Sequence, residues 1–126
     1  MIFFKQQPSR LIKIIGTLLV LGVLTYLHVM TPPSIAIVEI IGVDKLAHLL
    51  LFFFTMIWFV NITPKPYWNV VGCLLVFLGL VLEWLQMQFL PERSFEWLDW
   101  FADFLGVVVC IYLWHFLMNK LVNSSV

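Results

Sequence analysis

The sequence predicts an all-α integral membrane bundle of four transmembrane helices in up-down topology. Of its 126 residues, 63% are hydrophobic and only 11% are charged, whereas soluble domains carry about 45–50% apolar and about 25% charged residues. The chain holds four long apolar runs, each near the length of about 20 residues that a membrane-spanning helix needs. The composition excludes an ordinary soluble domain, and we treat residues 1–126 as a single membrane domain.

The first apolar run covers residues 11–30 and follows a tail that holds Lys5, Arg10 and Lys13. This arrangement is typical of a signal peptide or a signal anchor, and the length of the run and the spans after it favour an anchor. The connection of residues 31–45 is long enough to have structure of its own. Its apolar middle predicts an interfacial turn or short helix.

Prolines mark the ends of the next two runs. The second run covers residues 46–62 and ends at a Thr-Pro-Lys-Pro sequence, and the third covers residues 68–90 and stops at Pro91, because proline cannot continue a helix. The fourth run covers residues 95–118. Ser94 is placed to cap its first turn.

The distribution of lysine and arginine predicts the orientation of the bundle. With a cytoplasmic N-terminus, the outer side holds two basic residues, Lys45 and Arg93. The inner side then holds five, namely Lys5, Arg10, Lys13, Lys65 and Lys120. We therefore expect a multi-pass membrane protein with both termini in the cytoplasm. The net charge is zero and no basic arm is present, so we do not expect a nucleic-acid partner.

Aromatic residues lie near both ends of the predicted spans, which is typical of a membrane belt. One interface has Trp58, Tyr67, Trp68 and Trp114, and the other has Trp84, Trp97 and Trp100. Among the remaining unusual residues, Cys73 and Cys110 lie within spans and lack metal-binding spacing, so structural roles are expected. His28 is expected at the interface, at the outer end of the first span, and His115 near the inner end of the fourth.

Ionisable and polar residues are concentrated at the end of the bundle assigned to the outer leaflet. Charges inside spanning segments are costly and usually face the bundle interior or a water-filled cavity, so these residues are functional candidates. The candidate catalytic residues are His48, Glu83 and Asp103. The candidate ligand-binding residues are Asp44, Lys45, Gln86, Arg93, Ser94 and Asp99.

Small residues share helix faces with these polar residues, because positions four and seven apart lie on one face of a helix. The two stripes are Gly72, Gly79, Glu83 and Gln86 on the third span and Asp99, Asp103, Gly106 and Cys110 on the fourth. Small residues let spanning helices approach closely. We therefore expect the stripes to face each other and to bring Glu83 near Asp103, with His48 and Thr55 completing a polar pocket between the second, third and fourth helices.

Carboxyl groups outnumber cations in this region. Asp44, Glu83, Asp99 and Asp103 stand against Lys45 and Arg93, so the packed carboxyl groups should share a proton, charge His48 or bind a cation. A proton would serve acid–base catalysis or proton coupling, and a metal would suggest assisted hydrolysis. The sequence leaves open the metal, any cofactor and whether the protein is an enzyme. Asp44, Lys45 and Glu96 lie at the helix ends, where charges cost little, so a structural role is favoured for these three residues.

Several of these segments, in this order and spacing, together resemble the VanZ-like family of small bacterial membrane proteins. They are Asp44-Lys45-Leu46-Ala47-His48, Glu83-Trp84-Leu85-Gln86, Leu90-Pro91-Glu92-Arg93-Ser94-Phe95, Asp99, and Ala102-Asp103-Phe104-Leu105-Gly106. The resemblance implies a compact multi-span helical protein, and the namesake of the family is associated with low-level resistance to teicoplanin. The chain departs from the family at Asp103, where the usual residue is asparagine.

From these features and the resemblance we expect the polar pocket to open to the outer leaflet of the bacterial inner membrane. We expect it to recognise or modify an envelope lipid or lipid-linked molecule there, with an effect on lipoglycopeptide sensitivity. Arg93 and the amide end of the fourth helix would hold an anionic headgroup. The alternative is a non-catalytic membrane accessory or a small proton-coupled transporter, in which the same cluster stabilises the bundle or couples to protons. The sequence does not set the oligomeric state.

Overall fold

The computed structural model describes residues 7–29, 42–91 and 94–124. Within these residues it forms four α-helices and no strands: α1 spans Arg10–Val29, α2 spans Val43–Ile62, α3 spans Trp68–Phe89 and α4 spans Trp97–Ser124. All four are long and apolar enough to cross a membrane. The predicted all-α bundle of four membrane-spanning helices is confirmed. The predicted interfacial segment within residues 31–45 lies almost wholly outside the described residues.

The start of α2 differs from the prediction. Gly42 precedes the helix with φ of 107°, a left-handed conformation that glycine adopts without steric cost. The helix therefore begins at Val43 rather than at residue 46, and its first turn includes Asp44 and Lys45. At the other end, α2 stops before Thr63, and a single 3-10 turn at Lys65–Tyr67 leads into α3.

The connection between α3 and α4 also differs in detail. α3 ends at Phe89 and Leu90 is extended, the conformation favoured for a residue before proline. α4 begins at Trp97 rather than at residue 95, and the amide N–H of Asp99 donates to the carbonyl oxygen of Glu96. Ser94 is therefore too far from the first turn to cap it, and that prediction is wrong.

The most extensive helix contact in the bundle joins α2 and α4. A Cβ at Gly106 would overlap with the carbonyl oxygen of Leu49 and would lie 3.0 Å from the backbone nitrogen of Phe53. Only a glycine lets the two backbones approach this closely. The expectation that Gly106 faces the third helix is therefore wrong, since its open side faces α2.

α3 packs against α4 through its own glycines, as the stripes predicted. A Cβ at Gly72 would lie 2.9 Å from Cδ1 of Ile111 and 3.0 Å from Cγ1 of Val107. These contacts are with the ends of side chains rather than with backbone. The α3–α4 contact at this level is therefore more adaptable than the α2–α4 contact at Gly106.

α1 is the most peripheral helix and buries only Leu24 and His28. Its attachment to α2 includes a hydrogen bond from Nε1 of Trp58 to Oγ1 of Thr17 at 3.1 Å. Most of its other apolar side chains, such as Leu18, are exposed, as expected for a surface that contacts lipid.

The aromatic residues at the ends of the spans do not all face lipid. Trp84, Trp97 and Tyr67 are exposed, as a membrane belt requires. Trp68 and Trp114 are each only 4% exposed and belong to the hydrophobic core. The belt interpretation is therefore wrong for these two tryptophans, because their rings pack between helices rather than against lipid.

Candidate functional site

Each of the four helices contributes at least one buried ionisable side chain at the same end of the bundle. Because the helices alternate in direction, this end holds the C-termini of α1 and α3 and the N-termini of α2 and α4. Four of these side chains are His28, His48, Glu83 and Asp103, and none of the four is more than 4% exposed. One nitrogen or oxygen atom of each lies within 4.8 Å of the corresponding atoms of the others. We call these four residues the His–carboxylate cluster.

The His–carboxylate cluster contains two close histidine–carboxylate pairs. Nε2 of His28 lies 3.2 Å from Oε1 of Glu83, and Nδ1 of His48 is hydrogen-bonded to Oδ1 of Asp103 at 3.0 Å. The two imidazole rings meet edge to face, with 4.7 Å between their centroids. The structure thus brings Glu83 and Asp103 together as the helical spacing predicted, with histidines between them.

Gly79 makes room for this arrangement on α3. A Cβ at this position would lie 2.8 Å from Oδ2 of Asp103 and 3.1 Å from the ring of Phe52. An alanine would therefore displace the carboxylate or the aromatic ring. The absence of a side chain at Gly79 on α3 therefore leaves the space that the carboxylate of Asp103 on α4 occupies.

Gln86 has a positioning role in the structure. Its side chain is 2% exposed, and its Nε2 donates a hydrogen bond to the backbone carbonyl of His28. Carbonyl groups in the last turn of a helix have no partner within the helix, so Gln86 satisfies one of them. This bond ties the end of α1 to α3 and holds His28 beside Glu83.

A second layer of charges connects the His–carboxylate cluster to the surface. Nζ of Lys45 donates to Oδ1 of Asp99 at 2.8 Å and to Oε2 of Glu96 at 3.2 Å. Oδ2 of Asp99 faces Nε2 of His48 at 3.9 Å. Lys45 is 33% exposed and Glu96 46% exposed, whereas Asp99 is 2% exposed. The layer therefore runs from an exposed carboxylate to a buried imidazole.

Asp44 joins this second layer as a half-buried residue at the start of α2. Asp44, His48 and Asp99 each offer an atom within 4.8 Å of the others. His48 is thus shared between the second layer and the His–carboxylate cluster. Ser94 is exposed, and Arg93 lies outside the described residues.

The structure corrects two expectations about this region. The cluster is buried in the described part of the chain, whereas we expected an open polar pocket between the second, third and fourth helices. His28 is 1% exposed instead of interfacial, because the last turn of α1 packs on α3. One signal in the sequence pointed to it: His28 lies at the end of the span where the other ionisable residues are concentrated.

The chemistry available to the cluster is that of two imidazoles and two carboxylates in a water-poor site. Such groups can transfer protons or hold a divalent transition metal. The cysteines are not part of it, since Cys110 lies in the hydrophobic core and Cys73 is exposed on α3. No protein-family profile, curated protein or solved structure matches the chain.

Proposed function

We propose that this chain is a VanZ-like protein of the bacterial inner membrane that recognises or modifies an envelope lipid or lipid-linked molecule. The proposal is supported by one observation: all four helices direct an ionisable residue to one end of the bundle, where Lys45 and Glu96 of the second layer of charges reach the surface. Buried ionisable groups in membrane helices are costly and usually mark a functional site.

The distribution of basic residues supports the outer leaflet as the location of the polar end of the bundle. Arg10, Lys13, Lys65 and Lys120 lie toward the opposite end of the bundle, and basic residues are enriched on the cytoplasmic side. A cytoplasm-dependent reporter fused after Val126 should be active, and a cysteine introduced by Glu92→Cys should react with a membrane-impermeant thiol reagent from outside. The opposite labelling pattern would contradict the proposal that the polar end of the bundle faces the cell envelope.

Lys45 is the group best placed to meet an anionic headgroup. It can exchange its exposed partner Glu96, at 3.2 Å, for a phosphate or carboxylate and keep the buried Asp99, at 2.8 Å. Arg93 and Ser94 adjoin the start of α4 in sequence, and arginine is suited to bidentate contact with phosphate. The headgroup would then lie directly above His48.

An apolar groove on α3 and α4 supports a lipid as the ligand. Side chains such as Phe77, Phe104 and Val108 line a groove of about 380 Å³. A second apolar groove, which shares Leu80 with the first, extends to Trp84 at the polar end of the bundle. A headgroup at Lys45 and an acyl chain along α3 and α4 would therefore occupy neighbouring parts of the surface.

His48, Glu83 and Asp103 would supply acid–base chemistry if the ligand is modified. In the alternative, a non-catalytic accessory or a small proton-coupled transporter, the same residues stabilise the bundle or couple to protons. The two readings differ in whether an envelope lipid changes chemically when these residues are replaced.

Envelope-lipid profiling of a deletion strain tests the proposal. We expect one lipid or lipid-linked species to change on deletion, together with teicoplanin sensitivity, and to be restored by the wild-type chain. Glu83→Gln should fail to restore it, whereas His115→Gln, at the other end of the bundle, should restore it fully. Full restoration by Glu83→Gln, at equal membrane yield, would contradict the proposal and favour the accessory role.

A further inference from the structure

The His–carboxylate cluster has the composition of a transition-metal site. Zinc in proteins is held by imidazole nitrogen and carboxylate oxygen at about 2.0–2.2 Å, usually by four ligands in a tetrahedron. His28, His48, Glu83 and Asp103 supply four such groups from four different helices. A mixed set of imidazoles and carboxylates favours zinc and related divalent ions over magnesium or calcium, which prefer oxygen alone.

The distances between the ligand atoms suit this geometry. Four ligands about 2.05 Å from a tetrahedral ion lie about 3.3 Å from one another. Nε2 of His28 is 3.2 Å from Oε1 of Glu83, Nδ1 of His48 is 3.0 Å from Oδ1 of Asp103 and 4.0 Å from Oε1 of Glu83. One ligand atom of each of the four residues lies within 4.8 Å of those of the others, so side-chain movement would have to shorten the longer distances to about 3.3 Å.

An oxygen inside the cluster points independently to a ligand. Oε1 of Glu83 is buried and accepts no hydrogen bond from the described residues, although it faces nitrogens of both histidines. Oδ2 of Asp103, in a side chain that is 0% exposed, also accepts none. Leaving a buried polar atom unsatisfied is costly, and two ionised carboxylates in a membrane helix bundle are more so. A divalent cation would satisfy Oε1 of Glu83 and balance the charges of both carboxylates.

Two sets of residues that share His48 could hold the ion, and Lys45 in the second layer of charges distinguishes between them. Asp99 in the alternative set of Asp44, His48 and Asp99 already binds the ammonium of Lys45 at 2.8 Å, which would repel a cation. In the His–carboxylate cluster, no lysine or arginine of the described residues pairs with Glu83 or Asp103. With Nδ1 of His48 on the metal, its Nε2–H would face Asp99, and metal-bound histidines commonly direct their other N–H to a carboxylate.

We propose that His28, His48, Glu83 and Asp103 form a site for a divalent transition metal of the zinc class. Four protein ligands close the coordination shell, which is typical of structural zinc sites. The ion would therefore join all four helices at the polar end of the bundle. The site stands on these four side chains alone and does not depend on the proposed lipid function.

Metal uptake by the full, untagged chain in detergent tests the site. After treatment with a chelator, the wild type should bind one Co²⁺ with the strong visible absorption of tetrahedral coordination, and Zn²⁺ should abolish that absorption. Zn²⁺ should also raise the midpoint of thermal unfolding, as any ligand of the native state does, and Mg²⁺ should not. A folded wild type that takes up no Co²⁺ and gains no thermal stability with Zn²⁺ would overturn the proposal.

Variants locate the site among the candidate ligands. His28→Gln and Asp103→Asn should weaken Co²⁺ binding by more than the roughly 10–100-fold loss that follows from changes outside the ligands. His115→Gln, the matched control at the other end, and Asp44→Asn should bind as the wild type does. Loss of binding in Asp44→Asn but not in His28→Gln would reject this set of ligands. Metal binding with an unchanged lipid profile would retain the site and remove the proposed lipid function.

Discussion

The two ends of the bundle differ in the interactions that hold the helices together. At the polar end, buried histidines and carboxylates from α1, α2, α3 and α4 contact one another across the bundle. At the opposite end, His115 packs edge to face on Trp68, with 5.0 Å between ring centroids, and Lys65 donates to Asn119 at the surface at 3.4 Å. No ion pair is present there among the described residues.

This difference shows which contacts determine the faces through which the helices of an apolar bundle meet. Apolar contacts between spanning helices tolerate many rotations, because lipid is as apolar as the helices themselves. A buried polar group accepts few arrangements, since leaving it without a partner is costly. The polar end therefore defines which faces of the helices meet, and the apolar end adapts to that arrangement.

The largest effect is expected from removing one carboxylate of the His–carboxylate cluster. Asp103→Ala should lower the free energy of unfolding in detergent by about 3–5 kcal/mol, the usual cost of breaking a buried pair, because His48 loses its partner at 3.0 Å. Asp103→Asn, which keeps an oxygen acceptor, should lose much less. Denaturant unfolding with chelator present, followed by tryptophan fluorescence, measures both.

His115→Ala is the control for this prediction at the apolar end. Its ring packs on Trp68 and is only half buried, so its loss should be clearly smaller than that of Asp103→Ala. Equal losses in the free energy of unfolding for the two alanine variants would show that the polar end does not determine the helix arrangement more strongly than the apolar end.

The next effect concerns helix approach. Gly106→Ala should destabilise the bundle by about 1–3 kcal/mol, the usual cost of overpacking, because its Cβ meets the backbone of Leu49, which cannot rotate away. Gly72→Ala should cost less, since it meets the side-chain ends of Ile111 and Val107. Gly22→Ala meets nothing within 4 Å and should not destabilise. Thermal unfolding of the three variants checks this order, and a reversed order of Gly106 and Gly72 would contradict it.

A smaller effect is expected from replacing Lys45 in the second layer of charges. Lys45→Gln should cost about 1 kcal/mol, near the upper limit for partly exposed ion pairs, because its partner Asp99 is buried. Lys65→Gln, at the other end, should cost less, since its partner is the amide of Asn119. Salt screens ion pairs, so the difference between the two variants should shrink as the salt concentration rises. A difference that does not respond to salt would indicate that the Lys45 pair contributes little.

The four spans were predictable from the sequence because long apolar runs and prolines determine them directly. The start of α2 was not, since Asp44 and Lys45 suggest a loop until the left-handed Gly42 places them in the first turn. The side of Gly106 was also not predictable, because a stripe of small residues indicates close approach without indicating which neighbour approaches.

The candidate site was partly predictable for a similar reason. His48, Glu83 and Asp103 were recognisable as ionisable residues within spans, and their helical spacing brought them together. His28 was missed because the end of a span is also where a residue at the membrane interface would lie, and the sequence does not distinguish the two positions. Only the packing of α1 on α3 through Gln86 places His28 in the cluster.

The central claim is that all four helices, including α1, meet in one buried polar cluster. The most direct measurement is the coupling energy between His28 and Glu83 from the unfolding of His28→Ala, Glu83→Ala and the double variant, with chelator present. Nε2 and Oε1 of the two residues are 3.2 Å apart, so a coupling of about 0.5–3 kcal/mol is expected. The same cycle with His115 in place of His28 should be additive. Additive effects for His28 and Glu83, within about 0.5 kcal/mol, would contradict the account.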